Sequence, residues 1–100
     1  MKSVAVLLAP GFEEIEAITV IDVLRRADIQ VTVAGLREGE ITGSHEITVR
    51  PDKTLDEIQP GTFDMVVLPG GLPGTDHLRE DPRVRAFVQE MARSGKHTCA

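Results

Sequence analysis

Apolar residues along this chain fall into two kinds of run. Residues 2–9 (KSVAVLLA) and 65–68 (MVVL) are almost continuously hydrophobic and end in turn formers, Pro10-Gly11 after the first and Pro69-Gly70-Gly71 after the second. Short runs of this kind predict strands buried on both faces of a parallel sheet, which need helices above and below. Residues 13–28 show the other kind. Ile15, Ile18, Ile21 and Leu24 lie on one stripe with Ala17 and Val20 beside it, the spacing of an amphipathic helix laid on a sheet. Glu13 and Glu14 fall in its first turn and Arg25 and Arg26 in its last, charges that suit the helix dipole. Both glutamates are expected to be solvated, as most are.

The rest of the chain continues the alternation. Residues 29–36 (IQVTVAGL) turn Ile29, Val31 and Val33 inward and predict a second strand. In residues 37–50, Gly39 and Gly43 separate two short alternating pieces, 40–42 and 46–50, which predict a small β insertion or edge ribbon. Residues 51–53 read as a loop and 54–58 as a helical turn at most, and Pro60-Gly61 leads back to the strand at 65–68. Asp81 is a good N-cap with Pro82 at the first helical position. Val84, Phe87, Val88 and Met91 then form an apolar stripe, and Gly95 closes that helix. Residues 96–100 begin a further strand. Strands alternating with helices imply an α/β, doubly wound parallel sheet, and a last strand with nothing to cover it implies the N-terminal portion of a longer single domain.

Composition narrows the class. A chain of 100 residues with 41% hydrophobic and 27% charged content is that of a globular protein. No apolar run approaches the ~20 residues of a membrane span. A net charge of −5 without clustered Lys or Arg argues against nucleic acid as the main partner, and three aromatics, all Phe, give no platform for stacking bases. One cysteine excludes an internal disulfide, and Cys99 alone makes no metal site. The amino end runs directly into a strand pattern without a leader-like segment, so a cytoplasmic location is expected.

Chemistry concentrates at the end of the 65–68 strand. In open α/β sheets ligands sit outside the carboxyl ends of the strands, where Gly70 and Gly71 can turn the chain tightly and leave backbone N–H groups open, so the pair is read as one wall of a site. The same two residues are equally compatible with a plain turn.

Residues 9–16 (APGFEEIE), 21–27 (IDVLRRA), 31–35 (VTVAG) and 64–71 (DMVVLPGG) together resemble the ThiJ/PfpI superfamily, within it the branch of the Parkinsonism-associated protein deglycase and its bacterial relatives. The resemblance runs through the whole chain in order and spacing. It implies a flavodoxin-like, class I glutamine-amidotransferase-like domain, a homodimer paired near the first helix, and a reactive cysteine on a sharp strand-to-helix turn, with no cofactor and no metal. By the same resemblance, Glu16 is the acidic residue of the pocket, the N–H of Gly71 is the oxyanion-type donor, and Gly70 and Gly11 line the substrate side. A carboxyl beside a thiolate in a partly dry pocket can stay protonated and donate a hydrogen bond to sulfur. An N–H aimed at a developing oxyanion stabilises it.

The matching also puts the nucleophile just beyond Ala100, in a companion C-terminal segment that adds a histidine to the pocket. Cys99 is a different position and reads as a buried packing thiol. His97, two residues away, projects parallel to it and reads as a structural strand-end histidine. His45 and His77 read as exposed residues of polar loops, and His45 stands where relatives tend to have an arginine near the dimer interface.

Two functions share such a pocket. One is a cofactor-free glyoxalase or protein deglycase acting on small reactive carbonyls or glycation adducts through a cysteine. The other is a redox-sensing stress-response protein or chaperone using the same oxidisable cysteine. A third reading, a flavodoxin-like phosphate or nucleotide binder, is prompted by residues 70–74 (GGLPG), which lack the Lys-Ser/Thr of a P-loop and the spacing of a dinucleotide fingerprint.

Overall fold

The apolar run at the amino end forms β1 (Ser3–Leu8), and its alternate side chains enter two separate cores. Ala5 and Leu7 lie with Val66, Leu78, Val84, Phe87 and Met91, whereas Val4, Val6 and Leu8 lie with Phe12, Ala17, Ile21 and Val33 on the other face. A strand buried on both sides has no polar face, which is why its sequence does not alternate. The computed structural model describes residues 2–99, so the expected strand position at Ala100 lies outside the described residues.

Around β1 the sheet has five strands. With β2 (Gln30–Gly35), β5 (Lys53–Thr54), β6 (Met65–Val67) and β7 (His97–Cys99) the order is β5-β2-β1-β6-β7, and every pairing is parallel. Helix α1 (Glu14–Arg26) covers one face; α2 (Gly74–Glu80) and α3 (Pro82–Arg93) cover the other. The chain leaves β1 toward β2 on one side and later returns to place β6 on the other. The loops after β1 and β6 therefore diverge, which is the topological switch point where doubly wound sheets bind ligands. The α/β, flavodoxin-like reading thus describes the chain.

Several boundaries and faces differ from the sequence reading. The residues that α1 buries are Glu14, Ala17 and Ile21, of which Ala17 and Ile21 face the sheet, with Val20 and Leu24 partly covered; Ile15 and Ile18 remain 75% and 41% exposed. Ala17 is small enough to bring the helix axis close, and at about 100° per residue that rotates Ile15 and Ile18 outward. The ribbon forms as expected, with β3 (Ile41–Thr42) antiparallel to β4 (Thr48–Val49). Residues 51–53 are not wholly loop, because Lys53 enters β5 beside Ala34 at the sheet edge, and two residues are too few to show a period. The turn after it is a 3₁₀ turn, Leu55–Glu57, closed by the Thr54 N–H donating to Glu57 Oε1 at 2.8 Å.

Helix α2 had no sequence signal. Its seven residues carry one buried large apolar side chain, Leu78, and no stripe; His77 is therefore a helical residue, exposed as expected but not in a loop. Helix α3 starts as predicted, Asp81 Oδ1 accepting the Arg83 N–H at 2.8 Å, and buries Val84, Phe87 and Met91, with the Phe87 ring 6.3 Å from that of Phe63. Cys99 corrects another expectation, since it is exposed rather than packed. Among the described residues β7 pairs only with β6 and forms the sheet edge, so nothing covers its outer side.

Candidate functional site

At the switch point the loop after β1 and the loop after β6 are interlocked by backbone. The Glu13 N–H donates to Gly70 O at 2.8 Å, the Gly74 N–H to Gly11 O at 3.2 Å, and the Gly11 N–H to Thr42 O of the ribbon at 2.9 Å. Gly11 and Gly71 have φ of +88° and +99°, where a side chain is strained. Space forbids one as well: a Cβ on Gly11 would lie 2.3 Å from Pro73 Cδ, and one on Gly71 would lie 2.5 Å from the Glu13 nitrogen. Both glycines are needed for the two loops to touch, independently of any ligand.

This knot sets the direction of Glu16. Glu16 is exposed on the first turns of α1, and its Oε1 accepts the N–H of Gly70 at 3.1 Å. With Ile15, Thr19, Val20, Val67, Leu68, Pro69 and Cys99 it lines a cavity of about 340 Å³ between α1 and the end of β6. Glu16, Gly70 and Cys99 are thus gathered in one place. The N–H of Gly71 has no hydrogen-bond acceptor among the described residues, whereas its carbonyl accepts the Thr75 N–H at 2.8 Å and the Thr75 hydroxyl at 2.7 Å. Gly11 spends its own backbone groups inside the knot and acts as a spacer. A second cavity, about 430 Å³, lies on the opposite face of β6 among Leu68, Thr75, Leu78, Val84 and Val88; without a signal for α2 it could not be anticipated.

The three glutamates at the start of α1 part company. Glu14, expected in solvent, is 4% exposed, because the ribbon folds over the helix start. Its Oε2 accepts the N–H groups of His45 at 2.7 Å and Ile47 at 3.2 Å, and its Oε1 lies 3.1 Å from His45 Nδ1. Burial alone would raise its pKa. The hydrogen bonds from its own N–H, from those of His45 and Ile47, and from the His45 ring outweigh that and hold it at about 2. His45 is exposed as expected yet engaged. The hydrogen bond to Glu14, then the charges of Glu13 and Glu14, raise its pKa against the effect of burial. Its Nδ1 also stands 3.8 Å from Glu13 Oε1, and one ligand atom from each of Glu13, Glu14 and His45 falls within 4.8 Å of the others. His97 lies on β7, exposed, in register with Met65.

Comparison with known proteins gives this arrangement its context. Residues 2–100 match the DJ-1/PfpI family. The chain is 45% identical over 95 residues to the protein dj-1beta of Drosophila melanogaster, spanning 94% of this chain and 51% of that protein. It is 37% identical over 93 residues to a protein named as a deglycase in Thermococcus kodakarensis, spanning 93% of this chain and 55% of that one. The crystal structure of a cysteine-to-alanine mutant of a DJ-1 superfamily protein from Salmonella typhimurium superposes with a TM-score of 0.95 at 47% identity, covering 99% of this chain and 54% of the other. The chain therefore spans about half the length of the curated relatives it matches.

Proposed function

The chain belongs to the DJ-1/PfpI family, and on that premise we propose that it supplies half of the pocket of a cofactor-free, cysteine-dependent enzyme acting on small reactive carbonyls or early glycation adducts. The observation that carries the reading is the Glu16 carboxyl, whose Oε1 lies 3.1 Å from the Gly70 nitrogen beside a cavity of about 340 Å³, with the N–H of Gly71, which has no acceptor among the described residues, next in the chain. The nucleophilic thiolate comes from a companion segment outside these 100 residues.

In this reading the thiolate pair forms a C–S bond to the aldehyde carbon while the carbonyl π pair moves to oxygen, to which the Gly71 N–H donates. A base moves the proton of the sulfur-bearing carbon to the neighbouring carbonyl carbon through an enediol. The resulting thioester takes up water, returns the thiolate and releases a 2-hydroxy acid. Glu16 Oε1 is occupied by the Gly70 N–H, which leaves Oε2 to carry the proton shared with sulfur. The protein works as a homodimer through α1, whose Ile15 and Ile18 present apolar surface that the sheet does not use, and its setting is the cytoplasm.

The deciding experiment measures lactate release from methylglyoxal by the whole protein before and after stoichiometric oxidation of its reactive thiol. Turnover is expected and is abolished by oxidation. Turnover that survives quantitative oxidation removes the cysteine from the mechanism, and no turnover with an intact thiol leaves the redox-sensing reading in its place.

A further inference from the structure

We infer that Glu13, Glu14 and His45 form a binding site for a divalent transition-metal ion of the Zn2+ type, built where the β3–β4 ribbon closes over the start of α1. The donor set is mixed, two carboxylates and one imidazole, which suits zinc and its neighbours rather than the all-oxygen preference of calcium or magnesium.

The geometry is that of a site with one fixed ligand and two adjustable ones. Glu14 is buried, and its Oε2 is tied by the backbone N–H groups of His45 and Ile47 at 2.7 and 3.2 Å, so its Oε1 is aimed at the imidazole without freedom to turn away. Ligating carboxylates held by such outer hydrogen bonds bind metal more tightly. His45 Nδ1 lies 3.1 Å from Glu14 Oε1 and 3.8 Å from Glu13 Oε1. Bonds of about 2.0–2.2 Å from one ion set two ligand atoms roughly 3.0–3.5 Å apart, so the first pair already has the required spacing and the second needs a small approach of Glu13, whose side chain is partly exposed. The Ser44 hydroxyl lies 3.1 Å from Nδ1 and can move to the outer shell.

Charge points the same way. Among the described residues no Lys or Arg pairs with Glu13 or Glu14; the Ser44 hydroxyl and the N–H groups of His45 and Ile47 bond to Glu14, and the one titratable group facing both carboxylates is the imidazole. The pair thus carries excess negative charge at a place one residue from the mouth of the Glu16 cavity, and a bound ion would pin the ribbon to the helix that holds Glu16. Positions 13, 14 and 45 are too far apart in sequence to form a readable motif, so nothing before the structure pointed to it. The inference stands apart from the proposed reaction, which uses none of the three residues.

The test is calorimetric titration of ZnCl2 into the whole protein and into three variants, Cys99→Ser, His45→Gln and Glu13→Gln, combined with NMR of the histidine ring protons. The expected result is a saturable event retained in Cys99→Ser and weakened at least about tenfold in both His45→Gln and Glu13→Gln, with a Zn2+-induced shift of the His45 ring in the parent. The side chains changed at 45 and 13 are 67% and 26% exposed, so circular dichroism without metal should match the parent for each. Absence of saturable binding, equal affinity in His45→Gln, or a ring shift confined to other histidines overturns the site. Reading the NMR shift in the parent keeps the test decisive even where a variant fails to fold.

Discussion

Glu16 Oε1 and the N–H of Gly70 meet at 3.1 Å across 54 residues of chain, joining the first turn of α1 to the loop that ends β6. A donor to one oxygen fixes the carboxyl plane and leaves the other oxygen as the one that can face a thiol. Glu16→Gln retains a side chain of the same shape with a donor, and Glu16→Ala removes both. Thiol titration of the whole protein should therefore give a cysteine pKa near the parent value in Gln and a clearly displaced one in Ala, with lactate release falling about 10²-fold or more only in Ala. Superimposable titration curves for all three would remove Glu16 from the site.

Gly71→Ala should harm folding before chemistry. The new Cβ would sit 2.5 Å from the Glu13 nitrogen at a φ of +99°, so the loop must shift. A loss of about 1–3 kcal/mol is expected, read as a lower urea midpoint with an unchanged slope. An unaltered midpoint would mean that the two loops are not locked together.

Asp81 and Asp64 should contribute to acid stability alongside the buried Glu14. The side-chain hydrogen bond to Arg83 lowers the pKa of Asp81, and the Ser3 N–H, 2.9 Å away, lowers that of Asp64. Both groups are depressed in the folded state, so their stabilisation is complete above the unfolded value of 3.8 and is lost as pH falls through the folded value. Asp81→Asn keeps a capping oxygen but no titrating charge. Its unfolding free energy should change less between pH 5 and pH 2 than that of the parent; an identical slope would acquit the Asp81–Arg83 contact.

Ile15→Glu together with Ile18→Glu should leave the fold intact, since both side chains are exposed on α1. Sedimentation velocity of the whole protein is expected to change from dimer to monomer, with circular dichroism unchanged. A parent that sediments as a monomer would dispose of the interface at once.

What could be read in advance follows the length of each signal. β1, β6 and α3 announced themselves because four or more consecutive or periodic apolar residues are hard to place anywhere but in a core. α2 and β5 were silent because seven residues with one Leu, and two residues at an edge, carry no period. The face of α1 was misjudged for a different reason: counting apolar residues favours Ile15 and Ile18, while the helix docks on Ala17, whose small size matters more than its hydrophobicity. The resemblance singles out Glu16 and Gly70, and the structure brings the two into contact. Glu14 was not legible, because its burial is imposed by a ribbon 31 residues away.

The position of β1 between partners on both sides also bears on the order in which the chain assembles. β2 follows β1 through a single helix, and pairing Ser3 with Gln30 closes a much shorter stretch of chain. β6 must come back across 61 residues to make the contact between Ser3 and Asp64 at its near end. Loop-closure entropy favours the nearer pairing, and rates fall as contacts become more distant in sequence. The pocket, which needs the end of β6 against the loop after β1, is accordingly a late product of folding: a chain arrested early holds Glu16 on a formed helix with nothing opposite it.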